Sequence, residues 1–245
     1  GEGYILSDKE KEKVLTVVID ETKGRVPIYA GTGGVGTKET IRLSKMAESL
    51  GTDVLSIITP WFAKASDDEL FEHYKAVASS VIYNIPARTA NSISVSLVAR
   101  LSEIDNIVGV KDSSGNFDNM LQYIERTRES KFNVLSGNDS LILWNLLAGG
   151  NGGIAGCANV YPENMVAIYE NFIAGDLESA KRAQDAIRSF RNCFRFGNPN
   201  TIVKTAVELL GYPVGKCRAP FCKVSEEGLH QIKAVLEENN RLGLR

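Results

Sequence analysis

The sequence predicts an α/β fold built on a parallel sheet, and three observations carry that prediction. Short, β-branched apolar runs recur at Val26–Ala30, Val54–Thr59, Val81–Ile85, Ile107–Val110, Phe132–Leu135 and Gly153–Ala155. Helical periodicity follows each run, as parallel strands joined by right-handed crossovers require. The runs are apolar at successive positions, which suits strands covered on both faces. A (β/α) barrel and an open doubly wound sheet both satisfy this pattern.

The helical segments follow in order. Thr37–Leu50 places Ile41, Leu43, Met46, Ala47 and Leu50 at helical spacing. Asp67 is a candidate cap for a helix carrying Leu70, Phe71, Tyr74, Val77 and Ala78, and Ser94 or Ser96 opens the next, with Leu97, Val98 and Leu101. Asn116–Arg128, Ser140–Ala148 and Pro162–Ala174 repeat the pattern. After Gly175 the character changes. Asp176–Phe194, Asn200–Leu210 and Ser225–Asn240 read as helices with no strand run between them, and Pro213, Gly215 and Pro220 punctuate the last connection. The expected organisation is a strand-bearing domain over residues 1–175 and a helical domain over 176–245.

Two features of the spacing are unusual. The six runs fall short of the eight strands of a closed barrel, and a six-stranded remnant would leave two apolar edges unpaired. The helical pattern Tyr74–Ser80 also runs directly into the strand pattern at Val81. Connections usually take about 2–6 residues, so residues preceding Gly1, and about five between Ser79 and Val81, are expected to be missing from the chain.

Composition narrows the function classes. The chain has 245 residues, 43% hydrophobic and 24% charged, with net charge −2. These values are ordinary for a globular protein and lack the basic footprint of a nucleic-acid binder. No apolar stretch reaches membrane-spanning length, and Gly1-Glu2-Gly3-Tyr4 resembles neither a signal nor a transit peptide. Cys157, Cys193, Cys217 and Cys222 show no C-x-x-C pairing, and His73 and His230 lie far apart, so no metal site and a cytoplasmic location are expected. Gly31-Thr32-Gly33-Gly34-Val35-Gly36 matches the dinucleotide-binding G-x-G-x-x-G pattern, but the next strand run ends in Thr59-Pro60 instead of the ribose-binding acid. A tight strand-to-helix turn accounts for those glycines.

Lys111 is the main chemical candidate. It closes the run Ile107–Val110 and precedes Asp112-Ser113-Ser114-Gly115. Such a lysine either snorkels to water or pairs with Asp112, or it serves as a nucleophile. Burial lowers a lysine's pKa, and a neutral amine can attack a carbonyl to form a Schiff base. Tyr83, one βα unit earlier, reads equally as core aromatic or proton donor.

The strand ends carry a recognisable combination. Tyr83-Asn84-Ile85-Pro86-Ala87-Arg88-Thr89 precedes Gly109-Val110-Lys111-Asp112-Ser113-Ser114-Gly115, and Ser136-Gly137-Asn138-Asp139 and Gly152-Gly153-Ile154 follow on the next two runs. In this combination the chain resembles the dihydrodipicolinate synthase and N-acetylneuraminate lyase family of class I aldolases. The similarity spans essentially the whole chain and includes Ala30-Gly31-Thr32-Gly33, Thr59-Pro60 and Asn198-Pro199. It implies a (β/α)8 TIM barrel whose first two strands are absent from the chain, a C-terminal helical domain and a homotetramer.

The resemblance also implies roles. Lys111 would capture pyruvate as an imine, Tyr83 would relay protons, and the Ile154 carbonyl would face the bound keto acid. Gly137 and Asn138 would contact substrate, although Asn138 and Asp139 equally suit a turn or helix cap. Arg88 matches the arginine that synthases hold near the carboxylate of an aldehyde acceptor, a group that guanidinium grips bidentately. The implied reaction joins pyruvate to aspartate semialdehyde with no cofactor beyond the covalent imine. A sialic acid or 2-keto-3-deoxy sugar acid lyase is the alternative within the class, and a non-catalytic keto-acid sensor is the alternative outside it.

Phe62 departs from the family pattern. The synthases carry a tyrosine there that enters a neighbouring subunit's proton relay, and phenylalanine has no hydroxyl. The family's feedback-lysine positions read Gly3, Tyr4, Asp8, Lys11, Val35, Glu39 and Trp61, and only Glu39 keeps the expected type. Activity is therefore expected to be insensitive to lysine. An assay showing inhibition at millimolar lysine would contradict this.

Overall fold

The computed structural model of the chain describes residues 2–77 and 80–244. Its elements begin with α1 (Asp8–Thr22), β1 (Tyr29–Gly31), α2 (Thr37–Leu50), β2 (Val54–Ile58), α3 (Asp67–Lys75), β3 (Ser80–Asn84), α4 (Pro86–Thr89), α5 (Val95–Leu101), β4 (Ile107–Asp112), α6 (Phe117–Thr127) and β5 (Asn133–Ser136). They continue with α7 (Ile142–Leu147), β6 (Gly152–Gly153), α8 (Pro162–Ile173), α9 (Leu177–Ala186), α10 (Arg188–Asn192), α11 (Pro199–Leu209) and α12 (Glu226–Arg241). Among the described residues no strand follows Gly153.

The chain divides into two compact units. The first comprises Leu6–Gly137 and Ala148–Asn151. In it β1 to β5 pair in chain order, each parallel to the next. A doubly wound sheet reverses strand order at a switch point, and this succession does not. The winding is that of a barrel. Leu55 and Ile57 of β2, Val81 and Ile82 of β3 and Val110 of β4 are buried, with Leu43, Leu70, Leu97 and Met120 supplied by the helices.

Local chemistry sets the element boundaries. Pro27 has no N–H to give to a ladder, so β1 starts at Tyr29 and leaves Val26 exposed. Ser66, not Asp67, caps α3, because Ser66 and Glu69 form a reciprocal capping box. Asp67 instead accepts a hydrogen bond from Ser94 Oγ at 2.5 Å. Ser94 caps α5 and Asn116 caps α6. The helix α1, unassigned above, opens with the Ser7–Glu10 capping box. None of its residues is buried, so apolar periodicity does not mark it. β3 runs from Ser80 into Val81, and its register against β4 shifts between those two residues. The connection expected to lack residues includes Ala78 and Ser79, which lie outside the described residues.

The glycine-rich loop is a packing device. A Cβ on Gly33 would lie 2.6 Å from Ile58 Cγ2, and the Gly34 N–H is already spent on Thr40 Oγ1 at 3.0 Å.

The second unit comprises Gly1–Ile5, Asn138–Leu147 and Gly152–Arg245. Ile168, Phe190, Ile202 and Ile232 are fully buried in its core. The helix expected over Asp176–Phe194 is broken into α9, α10 and a 3-10 turn at Cys193–Phe196. Ile187, Phe190 and Cys193 are all buried, and their three-residue spacing matches a 3-10 period better than the α-helical one. Likewise, Ser140–Ala148 begins as a 3-10 turn at Asp139–Leu141, capped by Asn138, before α7.

Candidate active site

Strand alternation sorts the residues at the ends of β3 and β4 onto two faces. Tyr83 pairs in register with Lys111, and Asn84 with Asp112. Tyr83 and Lys111 therefore share one face and Asn84 and Asp112 the other. On the first face the Lys111 amine lies over the Tyr83 ring, 3.9 Å from its centroid. Both side chains are half-buried. The amine is thus reachable, and the phenol stands beside whatever atom bonds to it.

The opposite face fixes that register. Asn84 Nδ2 donates to Asp112 Oδ1 at 2.8 Å and to the Tyr123 hydroxyl at 3.3 Å, and Asn84 Oδ1 accepts from the Ile93 N–H at 3.0 Å. Ser114 donates to Asp112 through its backbone N–H at 3.1 Å and its hydroxyl at 2.8 Å. Burial pushes the Asp112 carboxyl above its ordinary range, and the bonds from Ser114 and Asn84 oppose that push. Asp112 is thus committed to this network, which disfavours the simple Lys111–Asp112 pair.

Beyond β4 and β5 the backbone closes tightly. The Ser113 N–H donates to the Asn84 carbonyl at 2.8 Å, and the Gly137 N–H donates to the Asp112 carbonyl at 2.7 Å. A Cβ on Gly137 would lie 1.9 Å from Ser113 Oγ and 2.9 Å from Lys111 Cε. Gly137 is required here by close approach, since its φ is not positive. Ser113 Oγ donates toward the Tyr83 hydroxyl at 3.4 Å. At the end of β2, Thr59 Oγ1 donates to Thr89 Oγ1 at 2.8 Å, and Thr89 Oγ1 donates to the Asn91 carbonyl at 3.0 Å.

The structure thus brings together Tyr83, Lys111 and Gly137 and adds Ser113, which the motif reading passed over. Its signal was adjacency: it follows Lys111 by two positions, and so returns to the same face. Arg88 sits on the short helix α4 and is exposed, and among the described residues no carboxylate pairs with it. Asn138 and Ile154 belong to the second unit. Asn138 accepts from the Ser140 N–H at 3.1 Å as a cap, and Ile154 is half-buried just after β6. Phe62 is 95% exposed with φ of 82°, an unusual conformation for an aromatic residue. Among the described residues no group of histidines, cysteines and carboxylates could hold a metal ion, and no helix is long and apolar enough to cross a membrane.

An amine and a phenol lie side by side at the carboxyl ends of neighbouring strands in a barrel-wound sheet, the end at which barrel enzymes build their active sites. The dihydrodipicolinate synthetase family model matches residues 1–239. The 4-hydroxy-tetrahydrodipicolinate synthase of Methanospirillum hungatei is 39% identical over 241 residues, which cover 96% of this chain and 82% of that protein. Dihydrodipicolinate synthase from Aquifex aeolicus superposes with a TM-score of 0.94 at 33% identity, covering 100% of this chain and 85% of that one. The chloride-inhibited dihydrodipicolinate synthase from Acinetobacter baumannii, complexed with pyruvate, superposes with a TM-score of 0.93 at 31% identity, covering 98% and 84%. The chain belongs to the dihydrodipicolinate synthetase family of carbon–carbon lyases, and its fold is the TIM barrel of those enzymes.

Proposed function

We propose that this chain is a 4-hydroxy-tetrahydrodipicolinate synthase that captures pyruvate on Lys111 and joins it to aspartate semialdehyde. The observation that carries the reading is the Lys111 amine lying 3.9 Å from the centroid of the Tyr83 ring. The amine adds to the C2 carbonyl of pyruvate to give a carbinolamine. Tyr83 gives its proton to the departing hydroxyl, which leaves as water, and a protonated imine and a phenolate remain. The phenolate then takes a proton from the adjacent methyl group, giving an enamine. The enamine attacks the aldehyde, Tyr83 protonates the new alkoxide, and water releases the product from the imine. No cofactor beyond this covalent link is needed.

Arg88 is assigned to the acceptor's carboxylate, which its exposure leaves it free to meet. Gly137 and Asn138 are assigned to substrate contact and the Ile154 carbonyl to the keto acid. The assembly is proposed to be a homotetramer in the cytoplasm, and the exposed Phe62 suits a contact with a neighbouring subunit. The lyase alternative also draws on Phe62, which cannot supply the synthase relay's hydroxyl.

Acceptor assays decide between the two. Pyruvate with aspartate semialdehyde is expected to turn over at least about a hundredfold faster, by kcat/KM, than pyruvate with sugar aldehydes, because a site built for a charged group discriminates strongly against acceptors lacking it. Equal or reversed preference would favour the sugar acid lyase.

A further inference from the structure

We infer that Ser113 is a positioning residue for proton transfer, holding the Tyr83 oxygen between its phenol and phenolate forms. This rests on the lysine–tyrosine reading above. Three observations support it. Ser113 Oγ lies 3.4 Å from Tyr83 Oη with the serine as donor, which leaves the phenol's own proton free to go to substrate. The serine is fixed on both sides: its N–H is held by the Asn84 carbonyl at 2.8 Å, and its hydroxyl fills the space that a Cβ on Gly137 would take. Among the described residues, neighbouring hydroxyls at the ends of β2 and α4 are committed elsewhere. Thr59 donates to Thr89, Thr89 donates to the Asn91 carbonyl, and Phe62 has none. Among the described residues, Ser113 is the side chain that donates to Tyr83 Oη.

The chemistry requires such a donor. Each time Tyr83 gives up its proton, to the departing hydroxyl or to the new alkoxide, a phenolate must persist until the next proton arrives. A hydrogen bond to a charged oxygen is stronger than one to a neutral oxygen, so the Ser113 contact tightens when the phenolate forms. At 3.4 Å the contact is longer than an ordinary hydroxyl–hydroxyl bond, so it has room to shorten as charge grows on Tyr83 Oη. The proton balance is unchanged: Ser113 keeps its proton, and Tyr83 regains its own from the pyruvate methyl group or from the attacking water.

The test compares the parent protein with Ser113→Ala in steady-state kinetics and in borohydride trapping with pyruvate. The alanine variant is expected to lose about tenfold to a hundredfold in kcat, the size of a lost hydrogen bond to a charged group. Its KM for pyruvate stays within about threefold, and the final yield of trapped adduct matches the parent while accumulating more slowly. Turnover within twofold of the parent would overturn the inference. So would a kcat loss accompanied by an equal rise in KM or a fall in trapped yield, which marks general damage. Should Ser113→Ala not fold, Ser113→Cys replaces it, because the thiol is of similar size and a weak donor, and the same outcomes apply. A parent that traps no pyruvate would refute the lysine reading and this inference together. A parent that traps and turns over, beside a fully active alanine variant, would refute the Ser113 role alone.

Discussion

Lys111→Ala is expected to lower turnover on the order of a thousandfold or more, because the residue supplies the bond-forming nitrogen and no neighbour can replace it. Lys111→Arg is expected to be equally inactive: guanidinium keeps the charge but stays protonated and does not form the imine. Both variants should fold as the parent does. Lys111 is half-buried, and the register of β3 and β4 is held from the other face by Asn84 and Asp112. Thermal melting beside the kinetics checks both halves of the expectation. A Lys111→Ala variant retaining a tenth of the parent's turnover would show that the amine is not the nucleophile.

Gly137→Ala is the second large effect. The added methyl group would stand 1.9 Å from Ser113 Oγ and 2.9 Å from Lys111 Cε. Ser113 Oγ can turn away only by giving up its contact with Tyr83, and Ser113 Cβ, on a backbone tied to Asn84, would still lie 3.1 Å from the methyl group. Lys111 can yield only by swinging its amine away from its place over the Tyr83 ring. Overpacking of this kind costs about 1–3 kcal/mol in stability. The displacement falls on the reacting amine and its neighbour, so kcat is expected to drop on the order of a hundredfold, as misplacements near an ångström do. Denaturant unfolding and steady-state kinetics on the same preparation measure the two losses. A Gly137→Ala enzyme with parental turnover would show that the strand ends are looser than this packing describes.

Much of this arrangement was legible in the residues. An apolar run ending in Lys111 marks a strand that delivers a charge, and the repeated run-and-helix spacing identified parallel strands. The choice between barrel and doubly wound sheet was not legible from periodicity, because both share that spacing. It follows from strand order, which is a tertiary property. Lys111 stood out by its place at a strand end and Tyr83 through the family resemblance, whereas Asn84 had no separate reading and Asp112 was read only as a possible partner for Lys111. Their importance lies in facing each other across a register no single run reveals. Ser113 was legible only in part: its two-residue spacing from Lys111 suggested the shared face, but its contact with Tyr83 depends on how the chain turns after β4. α1 escaped because a helix with no buried residue carries no core-facing stripe. Ser66 and Asp67 were both plausible caps, and the partner Glu69 decided between them. The left-handed backbone of Phe62 had no signal, since glycine or asparagine is the usual occupant of that conformation.

The proposed chemistry requires pyruvate to become covalently attached to Lys111. Incubating the protein with pyruvate and sodium borohydride, then mapping the modified peptide by mass spectrometry, tests it most directly. One reduced pyruvate adduct per chain is expected, on Lys111, with no adduct in the Lys111→Ala variant. Turnover with no trapped adduct, or with the adduct on another lysine, would contradict it.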